Sequence, residues 1–314
     1  MATPFITLDR LTTVAPLGLR FHDTVSGNVV GDGLSVWAYP VGRPTARRRA
    51  IGNRKGVYVL HHGYGLRDLE NGEGTQLYWD NNPPNRDFVI EVTDEQRRFQ
   101  SFQFPASLPH RGVFEWSGFD DSPPSARSSV PLFSSPVRLA PGGMGVIRAE
   151  LWDTSLDGPA ASAVLEAYDG DRRLGQGIAD EEGRVALILS YPAPITFASP
   201  SPPGSPLGSP PGASGPPLTE QVWPLGLRAL YTPERPVSSP PNSTEPDQSF
   251  PDLRFTLSQP EATLWSDAAL SEVLLETNLR FGRELILKSR PAPGSPLSST
   301  RDSVLFITPA VSPP

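Results

Sequence analysis

Cysteine is absent from the 314 residues, which excludes disulfides, thiol nucleophiles and thiolate metal sites together. Long apolar runs are absent too, so no helix that spans a membrane is expected. The opening "MATPFITLDRLTTVAPLGLRF" has no basic leader followed by an apolar core, so no secretory signal peptide is expected. Positive charge is short: 27 Lys and Arg stand against 34 Asp and Glu, for a net charge of −7. That balance argues against nucleic acid as a partner of the whole chain. Hydrophobic residues make up 37%, little for a compact enzyme. Proline and glycine are plentiful instead, at 38 and 28. Proline lacks the N–H and fixes φ, so such a load fits poorly in helices or central strands. Short strands separated by many turns accommodate it, and the expected class is all-β with long irregular loops.

A long-period repeat organises the chain. "HDTVSGNVVGDGLSVWAYP" (22–40) returns as "AELWDTSLDGPAASAVLEAYD" (149–169), with Asp23-Thr24 answering to Asp153-Thr154 and Ala38-Tyr39 to Ala167-Tyr168. "NRKGVYVL" (53–60) is echoed by "DEEGRVALIL" (180–189), matching Gly56 to Gly183. The offsets are 130, 129 and 127, a drift of only a few residues. Two copies of one structural unit follow.

Alternation of apolar and polar positions bounded by glycine marks the strands. After an arm (1–16), the first unit (17–117) contains "LGLRF", "LSVWAYP", "GVYVLHH", "RDFVIEVTD" and "RRFQSFQFP". Phe88, Ile90 and Val92 share one face of the fourth, and Phe102 and Phe104 one face of the fifth. The short link between these two makes them an antiparallel hairpin. A Pro/Ser/Gly-rich boundary (118–145) is expected to be extended, with a brief pairing through "VPLF". The second unit (146–309) opens with "VIRAELWD" and turns at "DGD" and "DEEG". It is interrupted by proline-rich insertions at 198–218 and 233–251 and followed by a tail (310–314). "VWPLGLRALY" resumes the sheet. Leu275, Thr277, Leu279 and Phe281 then alternate, before "ELILK" and "DSVLFITP". A helix over 266–276, capped by Ser266, is an option this reading does not favour.

Catalytic signatures are not found. The four histidines are His22, His61, His62 and His110, and no serine sits in a G-x-S-x-G elbow. His61 and His62, adjacent at a strand end, point to opposite faces. "DGDRRLGQGIADEEG" is rich in carboxylates but lacks the D-x-[DN]-x-[DN]-G calcium pattern, and turn chemistry accounts for it. A facing carboxylate pair for glycoside hydrolysis is not singled out, nor is it excluded. No phosphate-cradling glycine motif is present. No catalytic, cofactor or metal residue is therefore assigned, and no cofactor is expected. Trp37 and Trp152 fall in strands and are read as core. Trp79 and Trp116 lie in looser context and are read as partner-surface candidates. The basic run "GRPTARRRAIGNRKG" (42–56) is read as a solvated hairpin loop whose Arg47, Arg48 and Arg49 contact another subunit.

The run "LEAYDGDRRLGQGIADEEGRVALIL" resembles a carboxypeptidase-regulatory-like or transthyretin-like β-sandwich module, through Gly175, Gly177, Ala179, Asp180, Gly183 and Val185. The first unit matches that pattern more loosely. The fold this implies is two tandem Ig-like or transthyretin-like β-sandwich domains with long Pro-rich loops. The ordered set "LRFHDTVSGNVVGDGLSVWAYP", "GVYVLHHGYGLRDLE", "VIRAELWD", "WPLGLRALY" and "LRFGRELILKS" resembles a component of extracellular contractile injection systems, the phage-tail-like particles related to the antifeeding prophage. This resemblance implies a non-enzymatic structural or adaptor protein near the baseplate or central spike. Its partners would be other particle subunits. It would assemble in the cytoplasm and then belong to a particle that is released or held at a membrane. A carbohydrate-binding or adhesive module is the alternative, and an enzyme with a carboxylate or histidine site ranks last.

The insertions offer almost no apolar burial to offset their ordering. Closing a long loop costs only about 1 kcal/mol more than closing a short one. Replacing 200–216 by a short Gly-Ser link is therefore expected to leave the melting temperature within a few degrees of the parent. A collapse of the second unit in a thermal melt would show that the segment packs as core.

Overall fold

A computed structural model describes residues 15–66, 79, 84–116, 128–194, 197–198, 213–214, 216–233, 250–290 and 303–310. Most of the arm, most of both insertions and the end of the tail lie outside the described residues. Seven strands build the first sheet: β1 (Leu17–Asp23), β2 (Leu34–Pro40), β3 (Arg48–Gly52), β4 (Val57–Leu60), β5 (Arg86–Asp94), β6 (Phe102–Leu108) and β7 (Val130–Leu132), in the order β6-β5-β2-β3-β4-β1-β7. The second half supplies β8 (Met144–Asp153), β9 (Gly158–Pro159), β10 (Val164–Asp169), β11 (Arg172–Ile178), β12 (Arg184–Ser190), β15 (Val222–Leu230), β16 (Glu261–Trp265), β17 (Glu276–Arg280), β18 (Leu285–Leu287) and β19 (Leu305–Thr308). Their order is β11-β10-β15-β16-β19-β8-β12, with β17 on β15 and with β9 and β18 on β8. Between β12 and β15, β13 (Phe197–Ala198) and β14 (Ala213–Ser214) form a two-stranded ribbon inside the first insertion. The protein is all-β, its two large sheets curled in a manner compatible with two tandem β-sandwich-like domains.

Alternation of apolar positions explains the strongest strands. Phe88, Ile90 and Val92 of β5 are buried, as are Phe102 and Phe104 of β6, and the two strands pair antiparallel from Arg86↔Leu108 to Val92↔Phe102. β8 alternates along its whole length, and Ile147, Ala149 and Leu151 enter the second core.

The repeat is structural. β1 pairs antiparallel with β4 (Leu17↔Leu60), and β8 pairs with β12 at the matching places (Ile147↔Leu187). Past its midpoint each first strand takes a late strand in parallel: β7 on β1 (Asp23↔Leu132) and β19 on β8 (Asp153↔Ile307). The amide of Val30 donates to the Phe21 carbonyl, and that of Ala160 to the Leu151 carbonyl. The turns before β4 and β12 are built alike. Asn53 Oδ1 accepts from Lys55 and Val57, and Asp180 Oδ1 from Glu182 and Arg184. Gly56 and Gly183 close these turns at φ 73° and 78°.

The structure revises three expectations and agrees with the reading against a helix over 266–276. The basic run 42–56 is not a loop throughout: β3 lies inside it, pairing with β2 and β4. Only Ala50 of β3 is buried, so side-chain alternation had no signal to give and backbone pairing makes the strand. The expected boundary does pair through "VPLF", but Val130, Leu132 and Phe133 are buried in the first core, so that unit draws on residues well past 117. Trp37 and Trp152 are half-buried on outward positions, donating to Ser35 Oγ and Asp157 Oδ1, while their strand neighbours Val36, Ala38 and Leu151 fill the cores. Over 266–276 there is no helix. Asp267 accepts from Ala269, Ser271 and Glu272 amides, and Leu270 sits at φ 54°, so a side-chain-capped turn displaces it.

A Cβ on Gly183 would stand 2.4 Å from the Leu151 carbonyl, a backbone atom of β8, whereas one on Gly56 would clash with the Val29 side chain and meet the Gly31 backbone at ordinary contact distance. Both carry the left-handed penalty, about 1–2 kcal/mol. Gly183→Ala is therefore expected to destabilise by about 3 kcal/mol or more, and Gly56→Ala by about 1–2 kcal/mol. Urea unfolding of the two variants checks this ranking, and equal losses would refute it.

Candidate functional site

The two units meet along an apolar seam. Val164, Ile178 and Leu230 of the second half join the first core, as does Leu253 of the short helix α1 (Leu253–Leu257). Asp252 caps α1 by accepting from the amides of Arg254 and Phe255. The Gln103 amide on the edge of β6 donates to the Pro251 carbonyl at 2.9 Å. Gln259, after the helix, donates to the carbonyls of Ser162 and Thr256 and accepts from the amide of Thr232. Residues 250–259 thus tie β6 to the second unit. Sequence reading missed this strap, although an aspartate before a short apolar run was its available signal.

Beside the strap a cavity of about 460 Å³ opens between the units. Phe99, Phe102, Phe133 and Ile178 wall it, with Asp94, Asp180, Glu181, Arg184 and Asp252 along its margin. Most of these charges already have structural work. Asp94 accepts from the amides of Gln96, Arg98 and Phe99 and from the Arg98 guanidinium, fastening the β5–β6 turn. These bonds and the Asp94 charge raise the Arg98 pKa above its ordinary value. Asp180 binds Arg184 at 2.7 Å. Phe99 lies under two guanidinium groups, those of Arg138 at 4.8 Å and Arg98 at 5.2 Å.

At the end of β1 lies a buried ion pair. Arg138 donates through both terminal nitrogens to Asp23, at 2.8 and 2.7 Å, and Asp23 also accepts from the Val25 amide and Ser26 Oγ. Burial pushes the Asp23 carboxyl up, but the Arg138 bonds, the turn bonds and the guanidinium charge together hold it below its usual value. At the matching place in the second unit, Asp153 is fully buried and accepts from Ser155 and from the Tyr231 hydroxyl at 2.9 Å. The repeated DT pair is thus a strand-ending turn in both copies.

The histidines are dispersed. His22 is lowered in pKa by burial, with Asp23 and Ser129 partly offsetting, and its Nδ1 lies 2.9 Å from Ser129 Oγ. His110 packs on the Phe114 ring, and His61 and His62 are exposed beyond the end of β4. Among the described residues no three His, Asp or Glu side chains converge on one point.

The partner-surface candidates divide. Trp116 is 4% exposed, so its assignment to a surface is corrected: its ring sits edge-on to Phe104 at 5.5 Å with the Arg254 guanidinium 5.4 Å away. The helix α1 covers it, a contact across more than a hundred residues of chain. Trp79 is half-buried, and its chain neighbours lie outside the described residues. Arg47, Arg48 and Arg49 are exposed; Arg47 stacks over Trp37 at 4.7 Å and Arg49 pairs with Glu95 at 3.0 Å.

Fold and site together define an all-β protein compatible with two sandwich-like units, with a strapped seam between them. No known protein family matches the chain in a profile comparison, and no curated protein matches it in sequence. Among solved structures it is similar to the Bacillus anthracis TIE protein, at 12% identity and a TM-score of 0.22, over 57% of this chain and 26% of that one. The chain spans about a quarter of that protein's length, and a likeness this loose carries no argument.

Asp23 links stability to pH. Its folded pKa is depressed, so its contribution is present above the ordinary carboxylate pKa, about 3.9, and is lost as pH falls through the folded value. Arg138→Leu leaves a buried carboxylate without its partner, and is expected to cost about 3–5 kcal/mol at neutral pH. Thermal melts from pH 7 to pH 3 should show the gap between parent and variant narrowing on the acid side. A constant gap would mean that Arg138 acts by packing alone.

Proposed function

We propose that the chain is a non-enzymatic structural or adaptor subunit of a contractile injection particle, seated at or near the baseplate or central spike. The reading is carried by the five ordered segments that resemble such a component. They fall on β1–β2, β4, β8, β15 and β17–β18, and they include the buried Asp23 and Asp153 and Tyr231. Two units fastened by an apolar seam and a strap suit a spacer that transmits position between neighbours. Most of the carboxylates bordering the cavity are spent on turns and a helix cap, which favours edges and charged ridges as the working surfaces. The exposed Arg47–Arg49 ridge fits an acidic face on an adjacent subunit.

Contractile particles purified from the organism that encodes the chain supply the test. Quantitative mass spectrometry is expected to find this chain in fixed ratio to sheath and tube proteins. Replacing Arg47, Arg48 and Arg49 by alanine should lower that ratio while leaving the melting temperature unchanged. Absence of the chain from particles that retain sheath, tube and baseplate subunits would overturn the proposal.

A further inference from the structure

Most strand edges in this fold are closed. On β6, the outward amide of Gln103 is taken by Pro251, and Pro105 has no N–H to offer. On β7, Leu132 turns its carbonyl to Thr24, so the outward position belongs to Pro131, again without an N–H. The backbones of β11 and β12 approach so closely that a Cβ on Gly177 would stand 2.6 Å from the Ala186 carbonyl. No strand fits between them.

The strand β17 differs. It pairs with β15 in the register Val222↔Arg280 to Gly226↔Glu276. Leu227 donates to the Leu275 carbonyl and Phe281 to that of Gln221, so the odd-numbered residues of this stretch bond to β15. Pro224, opposite Asn278, fits that pattern because its position needs no N–H. The amides and carbonyls of Glu276, Asn278 and Arg280 therefore point outward. No strand among the described residues pairs with that edge, and the side chains of these three residues are exposed. The neighbouring open edge, β18, is only three residues long.

We infer that β17 pairs with β17 of a second copy of this chain, antiparallel about a two-fold axis through Asn278. The sequence "LETNLRF" (275–281) is self-complementary about that residue. Glu276 falls opposite Arg280 of the second copy, and Leu275, 65% exposed, falls opposite its Phe281. Opposite charges directly across a strand pair stabilise it, and like charges destabilise it. Axes through Glu276 or Arg280 would set like charges face to face, and axes through Thr277 or Leu279 would set no opposite charges directly across, so the charges favour the register about Asn278. The contact is isologous and closes on itself. One outward carbonyl, that of Arg280, also accepts from Arg283 in the following turn. The strongest links are then the paired amides and carbonyls of Asn278 and the Arg280 amide to the Glu276 carbonyl.

Sedimentation velocity of the full chain over a concentration series reads this directly. The parent is expected to dimerise with rising concentration. Asn278→Pro removes an outward N–H and spares the bonds to β15, so it should be monomeric with an unchanged melting temperature. Glu276→Arg and Arg280→Glu should each weaken the dimer roughly tenfold or more, and the double reversal should restore it. Should Asn278→Pro fail to fold, the charge-reversal series decides alone. A parent monomeric at every concentration, a dimer indifferent to Asn278→Pro, or a double reversal that does not restore association would each overturn the inference.

Discussion

A buried carboxylate must find partners, and this constraint shapes both units. Burying an unpaired carboxylate costs about several kcal/mol, yet Asp23 and Asp153 are both buried at the end of a first strand. Each first spends an oxygen on the turn that follows, accepting from the residue two positions on. Each then takes a donor from far along the chain, Arg138 in one unit and Tyr231 in the other. Those donors come with chain that must pass nearby, and the closing strands are seated in the same places. The amides of Thr24 and Thr154 donate to the carbonyls of Leu132 and Ile307. One unit pairs its carboxylate with a cation and the other gives it a hydrogen bond from a neutral hydroxyl, so the copies share geometry and differ in electrostatics.

The seam between the units follows from leftover apolar surface. Val164, Ile178 and Leu230 face away from the second core and are covered by the first. Residues 250–259 then secure the contact by giving β6 a backbone partner and α1 a place over Trp116. A cavity remains where the strap and the turns do not fill the space. Its acidic margin looks reactive in sequence, but bonds to amides and arginines hold most of those oxygens in place.

Legibility in the sequence tracked one-sided burial. β8 buries one face, and β5 and β6 do so over most of their length, so the apolar period of two was visible and the strands fall where it places them. β3 buries a single side chain and had no period to read. Trp37 and Trp152 misled because a large aromatic in a strand suggests a core, whereas here its flat body lies on the outer face with its N–H bonded locally. The buried place of Trp116 could not be read at all, since it depends on the helix that carries Arg254, which is distant in the chain.

The sequence by itself determined the all-β class, the duplication and the turn positions, because each rests on local physics: proline geometry, strand alternation, and glycine at positive φ in Gly56 and Gly183. Only the tertiary structure decided which strands neighbour one another, which donor reaches each buried aspartate, that the units share a seam, and which edge stays open. Those outcomes depend on pairings between residues far apart in the chain, such as Arg138 with Asp23 and Tyr231 with Asp153. Backbone groups carry most of them, and every residue type presents the same backbone.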